Sequence, residues 1–263
     1  MTWALVIVAL LLSATTTGAQ VPESRQTVAS RQGVTQTFYL TEPSGTSAAS
    51  VILFTGGEGA LGFKGDGPFP RGGNFLIRHR KAFAAHGLLV AAIDVPSDMP
   101  GGYGRFRKTE EHARDVAAVI AALRRHAAVP VWVIGTSKGT ISAASVAARM
   151  TDGGPDGLVL TSSATRQTRG SSDTVFDVGV ESVRVPTLIV HSENDACQGT
   201  PGFDARPLFG RVRAARKELL MFNGAPAGSG EAACGPFTAH GYFGIEAEVI
   251  KAIADWIKAT PSR

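Results

Sequence analysis

Apolar residues recur along this chain in two alternating periods. Residues 35–40, Thr-Gln-Thr-Phe-Tyr-Leu, alternate polar with apolar as an early edge-type strand does. Residues 51–55, 88–95, 131–134, 157–162, 185–190 and 218–222 are short runs rich in Val, Ile and Leu, which predict strands buried on both faces. Between them the spacing changes. Residues 74–86 carry Phe75, Leu76, His79 and Phe83, and Gly87 ends that helix. Residues 109–126 bring Val116, Val119, Ile120 and Leu123 to one helical face, and 141–149 form an Ala-rich helix. Residues 207–216 predict another helix, and 244–258 a closing one with Ile245, Val249, Ile250, Ile253, Trp256 and Ile257 inward. Strands alternating with helices predict an α/β fold, a mostly parallel sheet with helices on both faces. Residues 165–181 are polar and irregular, and no internal repeat is present.

Composition adjusts this picture at the ends and surface. The chain has 263 residues with 44% apolar and 18% charged, enough for one well-buried α/β domain. The net charge of +4 and pI near 9.3 raise the question of nucleic acid. The basic residues sit in scattered helix-face groups without interleaved aromatics, so no nucleic-acid partner is predicted. Residues 1–12 open with an apolar run too short to span a bilayer. Small residues follow, and Thr17-Gly18-Ala19 resembles a cleavage site, so 1–19 reads as a secretory signal peptide. No Lys or Arg precedes the run, and no Cys at the cleavage point marks a lipid anchor. The mature domain is expected to be 20–263, secreted or periplasmic, with no stable membrane insertion. The two cysteines, Cys197 and Cys234, then most simply form one disulfide.

The strand at 131 runs into Gly135-Thr136-Ser137-Lys138-Gly139, and a helix follows at once. A serine at the tip of a strand–turn–helix, between two glycines, is the pattern of a nucleophile elbow. The turn is too sharp for larger neighbours, and the Lys138 N–H lies at the helix N-terminus, where it faces developing negative charge. After the strand at 51 comes Gly56-Gly57-Glu58-Gly59-Ala60-Leu61-Gly62. Residues 57–62 spell G-x-G-x-x-G, but Gly65, Gly67, Pro68 and Pro70 follow, so no helix opens and no dinucleotide cofactor is expected. A glycine-rich loop beside an elbow strand instead suits a second oxyanion donor, from the N–H of Glu58 or Gly57.

A serine hydroxyl needs a base to take its proton, and the base needs an acid to orient it. In sheets of this kind reactive groups gather beyond the carboxyl ends of strands. His79, His86, His112 and His126 lie on or at the end of predicted helices. His240 lies in a loop between the last strand and the last helix, with His191 as its rival. Asp195, just after the strand at 185, is the choice for the acid, with Glu193 as its rival. Cys197 follows Asp195 closely and Cys234 precedes His240, so a bridge would staple the acid loop to the histidine loop. No His/Cys/carboxylate cluster has the spacing of a metal site.

On Gly135-Thr-Ser137-Lys-Gly139, Gly56-Gly57-Glu58-Gly59, Asp195 and His240-Gly241, the chain resembles the α/β-hydrolase superfamily over nearly its whole mature length, near the dienelactone-hydrolase-like branch. The resemblance implies Ser137 as nucleophile, His240 as base and Asp195 as orienting acid, with acyl transfer to water through an acyl-enzyme. It implies no cofactor. The nucleophile is Ser rather than Cys, and no His precedes the glycine loop as it does in HGGG-type esterases. The segment where many relatives carry a cap, from Ser163 to Val185, is too short for a large one. The expected substrates are therefore small or polymer-surface esters. A peptidase or amidase on the same fold, and a non-catalytic binding protein, are the competing readings.

Overall fold

The computed structural model describes residues 21–62 and 72–261; the expected signal peptide, 1–19, lies outside them. Eight strands form one sheet: β1 (Glu23–Arg31), β2 (Val34–Thr41), β3 (Ala49–Phe54), β4 (Leu88–Pro96), β5 (Val131–Ser137), β6 (Gly157–Ser163), β7 (Thr187–Ser192) and β8 (Lys217–Phe222). Their order is β1-β2-β4-β3-β5-β6-β7-β8. β1 and β2 are antiparallel to their neighbours, and every pairing from β4 to β8 is parallel. The described residues also form six α-helices: α1 (Phe75–Arg78), α2 (Arg80–Ala85), α3 (Glu110–His126), α4 (Gly139–Arg149), α5 (Ala205–Arg211) and α6 (Glu246–Lys258).

The continuous apolar runs are explained by a core on each face of the sheet. Successive strand residues point to opposite faces. Ile52, Val133, Leu160 and Ile189 pack beneath Val116 and Ile120 of α3, Val146 of α4 and Leu208 of α5. Val51, Trp132, Val159 and Leu188 pack beneath Phe83 of α2 and Ile253 and Trp256 of α6. β3 lies between β4 and β5, so the chain leaves β3 toward one side of the sheet and β5 continues on the other. Such a reversal opens a crevice at the carboxyl ends of the strands.

Three elements differ from the sequence pattern. β1 is polar, Glu-Ser-Arg-Gln-Thr-Val-Ala-Ser-Arg, and carries no apolar alternation because it is an edge strand held at its ends by ions. Arg31 donates from Nε to the fully buried Asp115 at 2.8 Å, and Arg80 donates from Nε to Glu23 at 2.7 Å. The 74–86 helix breaks at His79 into α1 and α2. The helix expected over 207–216 ends at Arg211, because Val212 turns extended and the Lys217 ammonium takes the carbonyls of Phe209 and Val212. Between β6 and β7 stand only short 3-10 turns, at Val175–Val178 and Val180–Ser182, and no large cap.

Candidate active site

β5 is buried along its length until Ser137, whose φ is +53°, in the left-handed region that L-residues avoid. That twist reverses the chain directly into α4. The turn leaves no room for a Cβ at its flanks. One at Gly135 would run into the backbone of Gly139, and one at Gly139 into the carbonyl of Phe54. The Ser137 carbonyl accepts from the Thr140 hydroxyl at 2.6 Å, which pins the first turn of α4. The leading amides of a helix have no intrahelical acceptors, and Lys138 stands at that end.

The glycine loop after β3 is pressed against this serine. A Cβ on Gly56 would sit 2.9 Å from Ser137 Cβ and 3.4 Å from its Oγ. The buried Arg107 guanidinium donates to the Gly57 carbonyl at 2.9 Å and to the Ser142 hydroxyl at 2.8 Å. In a trans peptide the carbonyl and the next N–H point opposite ways. The Glu58 N–H is therefore directed away from Arg107. The Tyr103 N–H holds the Glu58 carbonyl at 2.8 Å, and the Glu58 carboxylate meets Lys138 Nζ at 3.0 Å. From Gly56 to Gly62 the chain runs as bends and turns without a helix.

Asp195 and His240 meet across 45 residues of chain. His240 Nδ1 lies 3.0 Å from Asp195 Oδ2. The other carboxylate oxygen accepts the Cys197 N–H at 3.0 Å. His240 and Ser137 border one cavity of about 350 Å³, together with Gly57, Asn74 and Cys234. No hydrogen bond joins Ser137 Oγ to His240, although both side chains border this cavity. Cys197 and Cys234 are disulfide-bonded with their Cα atoms 4.6 Å apart, tying the loop after β7 to the loop before α6.

The rivals are placed differently. His191 is fully buried, its pKa lowered chiefly by that burial, and among the described residues its ring has one hydrogen-bond partner, the Ser192 carbonyl at 3.3 Å. Glu193 is exposed at the surface. Two contributors carry no sequence motif. The Thr200 hydroxyl donates to Asp195 Oδ2 at 3.0 Å and stands 2.9 Å from His240 Nδ1. Ser162, itself at φ +42°, donates its hydroxyl to the His240 carbonyl at 2.9 Å. The only close set of three metal-ligand types among the described residues is Asp195, Cys197 and His240, and its sulfur is spent in the disulfide rather than free as a thiolate.

A scan against protein-family models finds no match, and neither does a search of curated proteins. Solved structures are similar in fold. A cold-adapted esterase from an Arctic intertidal metagenomic library aligns with TM-score 0.62 at 17% identity, over 91% of this chain and 94% of that one. A dienelactone hydrolase from Anabaena variabilis aligns with TM-score 0.62 at 15% identity, over 90% and 97%. Est1E from Butyrivibrio proteoclasticus aligns with TM-score 0.60 at 15% identity, over 89% and 97%. At these identities the likeness establishes an α/β-hydrolase fold.

Proposed function

We propose that this chain is an exported serine hydrolase that cleaves carboxylic esters through an acyl-enzyme. The observation that carries the reading is one cavity bordered by two groups: a serine held at positive φ on a strand–helix turn, and an imidazole whose Nδ1 is bonded to a buried carboxylate. With Nδ1–H committed to Asp195, Nε2 is the basic nitrogen. Ser137 Oγ attacks the ester carbonyl as His240 takes its proton. The tetrahedral oxyanion is met by the Lys138 N–H and by the N–H of Glu58 or Gly57, of which the anchored Gly57 carbonyl favours Glu58. The carbon–oxygen bond to the alcohol then breaks, and His240 returns the proton to that leaving oxygen. Water attacks the acyl-enzyme with His240 again as base, which releases the acid and frees Ser137.

Structural neighbours that are esterases or a dienelactone hydrolase support ester rather than amide substrates. The short 163–187 segment carries no large cap, which suits small or polymer-surface esters. Export is supported by the signal-like 1–19 sequence and by the disulfide. Among the described residues no helix is long and apolar enough to cross a membrane. The reading needs no cofactor, metal or nucleic acid.

A fluorophosphonate probe tests the chemistry. It should label Ser137 in the folded protein and leave Ser137→Ala unlabelled, with turnover of p-nitrophenyl esters lowered by several orders of magnitude in that variant. No adduct on Ser137 would leave a non-catalytic protein of this fold. Faster cleavage of a matched anilide than of the ester would make it an amidase.

A further inference from the structure

Arg78, at the end of α1, spends its whole guanidinium on the surroundings of His240. A guanidinium has five N–H donors in a planar fork. Nη1 donates to the carbonyls of Gly73 at 2.7 Å and Pro236 at 2.8 Å. Nη2 donates to the Gly241 carbonyl at 2.9 Å and to Glu246 Oε1 at 2.7 Å. Nε donates to His79 Nε2 at 2.9 Å; burial, reinforced by the Arg78 charge, lowers the His79 pKa and so preserves that lone pair. The Phe237 ring covers the guanidinium at 5.1 Å. Pro236 and Gly241 are the entry to and exit from the turn that carries His240, and Gly73 borders the Ser137 cavity. The turn is tight, since a Cβ on Gly241 would strike the Pro236 carbonyl.

We propose that Arg78 is a positioning residue for the base. By gripping both ends of the His240 turn and the adjoining cavity-lining Gly73, it keeps the imidazole within reach of Asp195 and of the Ser137 hydroxyl at once. The inference rests on the serine-hydrolase reading. Lysine cannot replace the fork, because one compact ammonium has three donors and no plane.

The test compares Arg78→Gln, Arg78→Lys and, as a control, Arg80→Gln, which breaks the neighbouring ion pair to Glu23 without touching the turn. Two readouts are taken: steady-state kinetics on p-nitrophenyl acetate, and the NMR resonance of the His240 Nδ1 proton. Arg78→Gln should lower kcat about 10- to 100-fold with KM within about twofold, because a misplaced base impairs chemistry more than binding. Its Nδ1 proton should broaden while the rest of the spectrum stays native. Arg78→Lys should recover only part of the rate, and it carries the test if Arg78→Gln does not fold. Arg80→Gln should keep wild-type kcat. Wild-type kcat with an unchanged Nδ1 resonance in Arg78→Gln and Arg78→Lys, or equal kcat losses in Arg78→Gln and Arg80→Gln, would overturn the proposal. Should the wild type neither turn over esters nor take the fluorophosphonate, while the Nδ1 proton is still lost in Arg78→Gln, the hydrolase reading fails and the positioning role stands.

Discussion

The hydroxyl of Thr200 stands 2.9 Å from His240 Nδ1 while it donates its only proton to Asp195 Oδ2. Toward the imidazole it can therefore only accept, so the Nδ1 proton is shared between a carboxylate and a hydroxyl. That arrangement stabilises one tautomer and disfavours rotation of the ring. Thr200→Val keeps the shape and removes both bonds. We expect kcat to fall about tenfold, corresponding to about 1.4 kcal/mol, with KM nearly unchanged. Steady-state kinetics checks it; a wild-type kcat would mean that Asp195 alone suffices to orient the base.

Gly56 tests how tightly the glycine loop is fitted to the nucleophile. An added Cβ would lie 2.9 Å from Ser137 Cβ, so the serine side chain is what must move. Gly56→Ala should lower kcat/KM about 100-fold while the melting temperature drops by only a few degrees, since misplacement of a reacting group costs far more than it destabilises. Gly139→Ala is the contrast. There the new methyl meets backbone, the Phe54 carbonyl, which cannot yield, and the expected result is loss of soluble folded protein. Measured together by thermal melting and ester turnover, the pair separates a fitted site from a fitted fold.

These glycines also show which parts of the molecule were legible in the sequence. The elbow was, because sterics allow so few residues around a strand-to-helix reversal that the sequence must declare it. Asp195 and His240 were legible as loop residues after strands, a consequence of topology. Thr200 was not, since an ordinary threonine gains its meaning only when two loops close on it. Strand β1 was hidden for the opposite reason: an exposed edge needs no apolar period and is held by Arg31–Asp115 and Arg80–Glu23 pairs between distant segments. The end of α5 was misplaced because Lys217, from the following strand, supplies the terminating contacts.

His112 makes stability depend on acid. Its ring is fully buried against the rings of Phe54, Tyr103 and Phe106, and neither ring nitrogen has a hydrogen-bond partner among the described residues. Burial, with the charges of Arg107 and Arg31, pushes its pKa from 6.5 down to about 3. The folded value lies below the unfolded one, so between these limits the unfolded chain binds the extra proton. Stability is then full above pH 6.5 and falls as pH drops toward 3. The loss from this residue should reach about 3 kcal/mol by about pH 4.5. Urea midpoints measured from pH 7 to 4.5 should fall steeply in the wild type and less steeply in His112→Phe, which keeps an aromatic ring and cannot take the proton. Parallel curves would place the acid sensitivity elsewhere.

The disulfide couples stability to the site, and the two effects can be separated. Cys197 and Cys234 are 37 positions apart, and closing a loop of that length corresponds to about 4 kcal/mol in the chain-entropy model. That contribution acts on the unfolded chain and would be the same wherever the bridge lay. Its placement has a second consequence. The Cys197 N–H donates to Asp195 Oδ1, and Cys234 borders the cavity with Ser137 and His240, so the bridge is part of the wall on which acid and base are mounted. Cys197→Ala, Cys234→Ala should therefore melt lower and, at a temperature where it is still fully folded, also show kcat reduced severalfold. Reduction of the wild type by dithiothreitol should give the same pair of changes, and reoxidation should reverse them. Circular dichroism and ester turnover at one low temperature make the distinction. Full activity in the folded double variant would confine the bridge to stabilising the fold and leave the alignment of Asp195 with His240 to the loops themselves.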